Sequence, residues 1–179
     1  MTASRYLCKD VWLKNDAAAE RDAMALWRAS ADGMPPDATI EDHVKELAVA
    51  AYDGDTLVAT TTCRVAYMPK VRQNLAMFRL FIAPSRRRER ITIPIVNALA
   101  DAMAGYSRDN LEKRIGGLGA IVVTRGFLRK GMTPIEGLGL VGYTDGNQPI
   151  IVKWFDHFRI NEEATLKRIP QKPKEDRYG

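Results

Sequence analysis

The stretch that decides the fold runs Leu75-Ala-Met-Phe-Arg-Leu-Phe-Ile82, then Ala83-Pro-Ser-Arg-Arg-Arg-Glu-Arg-Ile-Thr92, then Ile93-Pro-Ile-Val-Asn-Ala-Leu-Ala-Asp-Ala-Met-Ala-Gly105. Its first part is an apolar run without a turn residue, and its second is a basic loop. Its third continues a set of apolar positions, Ile91, Ile95, Ala98, Leu99, Ala102 and Met103, at helical spacing. A strand, a tight arginine-rich turn and a helix therefore follow one another. Thr92 is the expected N-cap, Pro94 falls in the first turn where a missing N–H does least harm, and Gly105 is the expected stop. Free first-turn N–H groups, the positive end of the helix dipole and the guanidinium groups of Arg86, Arg87, Arg88 and Arg90 favour an anion at this point. A polyphosphate suits it; the alternative is a solvated basic turn.

At these residues the sequence resembles the GNAT superfamily of N-acetyltransferases, whose acyl-CoA site is a strand, a loop of pattern [Arg/Gln]-x-x-Gly-x-[Gly/Ala] and a helix. Ile82-Ala83-Pro84 is similar to the family's Val-x-Pro lead-in, which puts Arg87 on the first motif position, Arg90 on the glycine and Thr92 on the final small residue. Only the first position matches. The resemblance implies acetyl-CoA or another acyl-CoA as co-substrate and an amine as acceptor. Arg86, Arg87, Arg88, Glu89, Arg90, Ile91 and Thr92 would hold the phosphates, and backbone groups of Phe81 and Ile82 would pair with the pantetheine amides. The family's tyrosine general acid falls on Phe127 or Leu128 in the stretch Gly126-Phe127-Leu128-Arg129-Lys130-Gly131-Met132, and neither donates a proton. The central-strand position where some members carry glutamate holds Arg79. Glu46 and Glu136 lie at element ends, where an exposed carboxylate is the simpler reading. No catalytic residue is assigned, so two functions stand: an acyl-CoA-dependent N-acyltransferase, and a GNAT-fold structural or assembly protein that has lost catalysis.

The chain has 179 residues, 46% hydrophobic and 27% charged, which is enough for one domain with a substantial core. Its apolar stretches fall short of the roughly 18 to 20 residues that cross a bilayer, and the N-terminus lacks a basic segment followed by an apolar signal core. The expectation is a cytoplasmic protein without a membrane partner. Cys8 and Cys63 both fall in strands and have no metal-ligand spacing with each other or with His43 and His157. The net charge of +5 is modest and concentrated in Arg86 to Arg90 and the tail, which favours a localised anion site. Nucleic acid is disfavoured, because one short cluster supplies few phosphate contacts and no aromatic stacking series adjoins it.

In chain order, Tyr6 to Leu13 reads as a strand, and Asp16 caps a helix through Ser30 that ends at Asp32-Gly33-Met34-Pro35-Pro36. Thr39 caps a short helix to about Lys45. Leu47 to Tyr52 and Thr56 to Tyr67 form a hairpin around Asp53-Gly54-Asp55. A polar connection to Gly116-Gly117 precedes a buried strand, Leu118 to Thr124, parallel to the Leu75 to Ile82 strand. A short helix over Arg125 to Lys130 and a hairpin of Leu138 to Tyr143 with Ile150 to Phe155 complete the order. The fold class is α/β (α+β). By the resemblance it is a mixed, mostly antiparallel sheet of about seven strands, with helices on both faces and a splayed parallel pair in the centre. Residues 1–160 read as this domain. Residues 161–179 are a charged, proline-containing tail, read as a contact arm toward the domain or another subunit in a homo-oligomer or larger assembly.

Overall fold

The computed structural model describes residues 5–30, 39–123 and 137–158. The short helix over 125–130, the Phe127 and Leu128 positions, Glu136, the break at 32–36 and the tail at 161–179 lie outside the described residues. The described elements are β1 (Leu7–Asp10), α1 (Ala17–Arg28), α2 (Ile40–His43), β2 (Leu47–Asp53), β3 (Thr56–Met68) and β4 (Gln73–Ile82). After them come α3 (Thr92–Asp109), β5 (Ile115–Ile121), β6 (Leu138–Tyr143) and β7 (Pro149–Trp154). The strands form one sheet in the order β1-β2-β3-β4-β5-β7-β6, in which β4 and β5 are parallel and every other pair is antiparallel.

Local chemistry accounts for most boundaries. Asp16 accepts a hydrogen bond from Ala19 N–H at the start of α1, and Thr39 accepts from Asp42 N–H at the start of α2. Gly54 takes φ +60° in the two-residue turn between Asp53 and Thr56, a conformation that a β-carbon opposes. Helices cover both faces of the sheet. Ile95, Leu99 and Met103 of α3 share a cluster with Cys63, Phe78, Leu80 and Ile82 on one face, while Trp27 of α1 joins Leu47, Ala50 and Phe81 on the other. Residues Val58 to Cys63 of β3 are consequently buried on both faces. The hydroxyls there are satisfied: Trp27 Nε1–H donates to Thr60 at 3.0 Å and Val49 N–H donates to Thr61 at 3.1 Å.

Four of the boundaries that differ from the sequence expectation have a visible physical cause. β1 ends at Asp10, whose carboxylate accepts from Trp12 N–H, and the chain then turns through positive φ at Leu13 and Asn15. Thr92 is the first helical residue of α3, not its cap; the cap position is Ile91, whose side chain is in the core and offers no capping hydrogen bond. Gly105 does not stop α3. The helix runs on to Asp109 because Tyr106 packs edge-on against Trp12 and the buried Ser107 hydroxyl donates to the Ile115 carbonyl at 2.8 Å. Those contacts outweigh the roughly 1 kcal/mol by which glycine disfavours a helix interior. Gly116 and Gly117 belong to β5, not to the connection. A β-carbon on Gly117 would lie 2.5 Å from the Lys153 carbonyl oxygen, so close approach of β7 requires glycine there.

Candidate functional site

The β4–β5 ladder is short. It pairs Asn74 with Ile115 and ends with Met77 opposite Gly119. Past that point, among the described residues, Phe78 to Ile82 pair only with β3, while Ala120 and Ile121 pair with β7. The two parallel strands therefore part into a fork that opens toward the C-terminal end of β4. Ala83 N–H donates to the Val58 carbonyl. Backbone groups alternate along a strand, so those of Phe81 face β3 and those of Leu80 and Ile82 face the opening. The Ile82 carbonyl accepts from Arg87 Nε at 3.3 Å.

From the tip of β4 the chain makes a turn at Pro84–Arg86, with Arg86 N–H donating to Ala83 and Glu89 N–H to Arg86, and then reaches Arg90 at φ +54°. Arg90, which the sequence resemblance sets at the glycine position of the loop, thus takes the left-handed conformation for which glycine is suited. The turn buries Ile91 and starts α3 immediately. Thr92 and Ile93 place their amides in the first turn, where a helix leaves N–H groups without internal acceptors, and Pro94 removes the next donor. Arg87, Arg88 and Arg90 are exposed around this helix start, and among the described residues Arg88 and Arg90 make no ion pair with a carboxylate.

Arg86 and Glu89 are engaged in a network within the protein. Arg86 is half-buried and bridges Asp53 at 3.2 Å and Glu89 at 3.2 Å. Tyr6 donates its hydroxyl to Glu89 at 2.6 Å, and Arg5 pairs with Asp53 and approaches Glu89 at 3.5 Å. This network fastens the loop to β2 and to the residues leading into β1. The hydrogen bond from Tyr6, helped by Arg86 and Arg5, holds the Glu89 carboxyl below the usual carboxylate range; Arg5, and then Arg86, do the same for Asp53. Residue reading along the chain missed Tyr6, Asp53 and Arg5, because no periodicity or motif links them to a loop more than thirty residues away.

The other singled-out residues are structural. His43 is buried with its ring centroid 4.6 Å from that of Trp27, and burial, with the charge of Arg79, holds its imidazolium pKa below the usual value. The Ser107 hydroxyl donates to Ile115, so the 3.0 Å contact from His157 Nε2 is a donation to Ser107. Burial pushes the Cys63 thiol up to about 12, and its Sγ sits 3.6 Å from Met103 Sδ. Among the described residues no cluster of histidine, cysteine and carboxylates has the makings of a metal site, and no helix is long and apolar enough to cross a membrane.

No protein-family model and no curated protein matches the chain. Solved structures do match by shape. The structure of PH1933 from Pyrococcus horikoshii OT3 superposes with a TM-score of 0.57 at 12% identity, over 83% of this chain and 98% of that one. A GNAT superfamily phosphinothricin acetyltransferase from Sinorhizobium meliloti, solved in complex with AcCoA, superposes with a TM-score of 0.51 at 12% identity, over 85% of this chain and 89% of that one. The seven-stranded mixed sheet, its parted parallel pair and these superpositions together show that the chain has the GNAT fold.

Proposed function

We propose that this protein is an acyl-CoA-dependent N-acyltransferase, with acetyl-CoA as the expected donor and an amine as acceptor. The observation that carries the reading is the fork between β4 and β5 opening beside a loop in which Arg90 keeps a left-handed backbone. The donors present suit a pyrophosphate: the Thr92 and Ile93 amides lie in the first turn of α3, and the exposed residues Arg87, Arg88 and Arg90 lead into it. The β4 edge at Leu80 and Ile82, which no described strand pairs, offers backbone groups to the pantetheine amides, with Arg87 Nε giving up the Ile82 carbonyl. With the thioester held in the fork, the amine nitrogen attacks the carbonyl carbon, the C–S bond breaks, the amine proton passes to water and the thiolate leaves. A thiol of reference pKa about 8.5 is a tolerable leaving group near neutral pH, so positioning supplies most of the rate.

Calorimetry with acetyl-CoA and a thiol-release assay on an amine panel test the proposal. The expected affinity is micromolar or weaker, roughly −8 kcal/mol or less favourable. Arg87→Ala and Arg88→Ala should each weaken binding by about 1 to 3 kcal/mol, the range for charge-assisted hydrogen bonds. A second reading, an assembly protein without catalysis, is favoured by one contact: Arg87 Nε already occupies the Ile82 carbonyl on the open edge. Absence of both acetyl-CoA binding and thiol release at millimolar acetyl-CoA would select it.

A further inference from the structure

The sheet face opposite α3 carries two arginines that the loop does not explain. The β3–β4 register sets Thr62 opposite Arg79 and Arg64 opposite Met77, without a shift along the whole ladder. Directly opposed residues share a face, as do residues i and i+2 of one strand, so Arg64, Thr62, Arg79 and Phe81 lie on the same side. Phe81 packs with Trp27 there, and Arg79 is near enough to His43 of α2 to disfavour its protonation. Both arginines are exposed, and among the described residues neither makes an ion pair. Diagonal cross-strand neighbours lie about 7 to 8 Å apart, where two like charges repel unless an anion lies between them. The neutral His43 supplies no such anion.

Their position bears on the site. Met77 is the last β4 residue bonded to β5, so Arg79 stands on the open arm of the fork and Arg64 is one strand away from its base. A donor anchored at the start of α3 lies on the α3 side and presents its acyl group at the opening. The acceptor then approaches from the opposite face, which is the face of the two arginines. We propose that Arg64 and Arg79 bind an anionic group on the acceptor, a carboxylate or a phosphate, so that the acceptor class is amines carrying a negative charge. This rests on the acyltransferase reading above. Guanidinium forks match both oxyanions in geometry, and two of them without an ion-paired carboxylate among the described residues disfavour polyamines.

The test is calorimetric titration of matched amines into the protein with and without saturating CoA, which binds without reacting. The pairs are an amino acid against its amide, phosphoethanolamine against ethanolamine, and spermidine alone. Anionic amines are expected to bind at least tenfold more tightly than their neutral counterparts, with Arg79→Gln and Arg64→Gln each removing most of that preference while leaving CoA affinity unchanged. The carboxylate and phosphate pairs identify which oxyanion is read. Equal binding of charged and neutral members, no binding of any amine, tighter binding of spermidine, or a preference that survives both substitutions would overturn the proposal. Failure of CoA itself to bind would overturn the acyltransferase reading, and the same titrations against the free protein would still judge the anion site.

Discussion

Arg90 is the residue at which sequence and backbone pull in different directions. The left-handed region costs a residue with a β-carbon roughly 1 to 2 kcal/mol, and here it is occupied by a long side chain in the turn that starts α3. Arg90→Ala retains that cost and Arg90→Gly removes it. In urea unfolding the glycine variant should therefore exceed the alanine variant by about 1 kcal/mol, even though glycine loses more chain entropy on folding. Equal stability would mean that Arg90 does not hold the left-handed conformation in solution. The same pair separates two roles of the side chain in binding. Tighter acetyl-CoA binding by Arg90→Gly means that Arg90 obstructs the backbone, and weaker binding means that its guanidinium contacts phosphate.

At the scale of elements, the loop and α3 are held from opposite ends. At the N-terminal end, Asp53 and Glu89 both titrate below their ordinary range because Arg5, Tyr6 and Arg86 favour the charged forms. Between the folded values and the ordinary carboxylate values near 4, the unfolded chain binds more protons, so stability rises with pH in that interval. The network's contribution is complete above the ordinary range and is lost as pH falls through the depressed values. Urea unfolding at pH 6 and pH 3 should show a larger loss for the wild type than for the Asp53→Asn/Glu89→Gln double variant; equal losses would detach the network from acid stability. Along the helix and its following strand, two glycines should behave oppositely. A β-carbon on Gly105 meets nothing within 4 Å, so Gly105→Ala should stabilise by about 0.5 to 1 kcal/mol. Gly117→Ala drives a methyl into the Lys153 carbonyl and should destabilise by about 1 to 3 kcal/mol, as overpacking does.

For the whole molecule, the sheet works as a wall between two compartments, with the fork as the passage through it. α3 and the arginine loop occupy one side, α1, α2 and the Arg64–Arg79 pair occupy the other, and β4 contributes to both through alternate residues. A ligand that binds only this folded arrangement stabilises it by mass action, about 2.7 kcal/mol at a hundredfold excess over Kd. CoA should accordingly raise the melting temperature in a concentration-dependent way, and Arg88→Ala should shift that dependence to higher CoA. A melting temperature that CoA leaves unchanged in the wild type would remove the α3 side from ligand binding.

The order of elements was legible in the sequence because each depends on short-range chemistry. The Asp16 and Thr39 caps, the Asp53-Gly54-Asp55 turn, the helical spacing from Ile91 to Met103 and the apolar run of β4 all act within a few residues. The parallel β4–β5 pairing followed from the same order, since a strand, a helix and a strand return the chain beside its start. Tertiary structure alone decided three things. α3 passes through Gly105 because Trp12, distant in the chain, packs on Tyr106, and the Ile115 carbonyl at the start of the next strand accepts from Ser107. Arg86 and Glu89 serve the loop's own anchorage because Tyr6 and Asp53 reach them in space. Arg64 and Arg79 become one site because the register of two strands sets them side by side. Hydrogen bonds, ion pairs and steric contacts act over a few ångströms whatever the separation along the chain, and local patterns in one sequence carry no record of which distant residues meet.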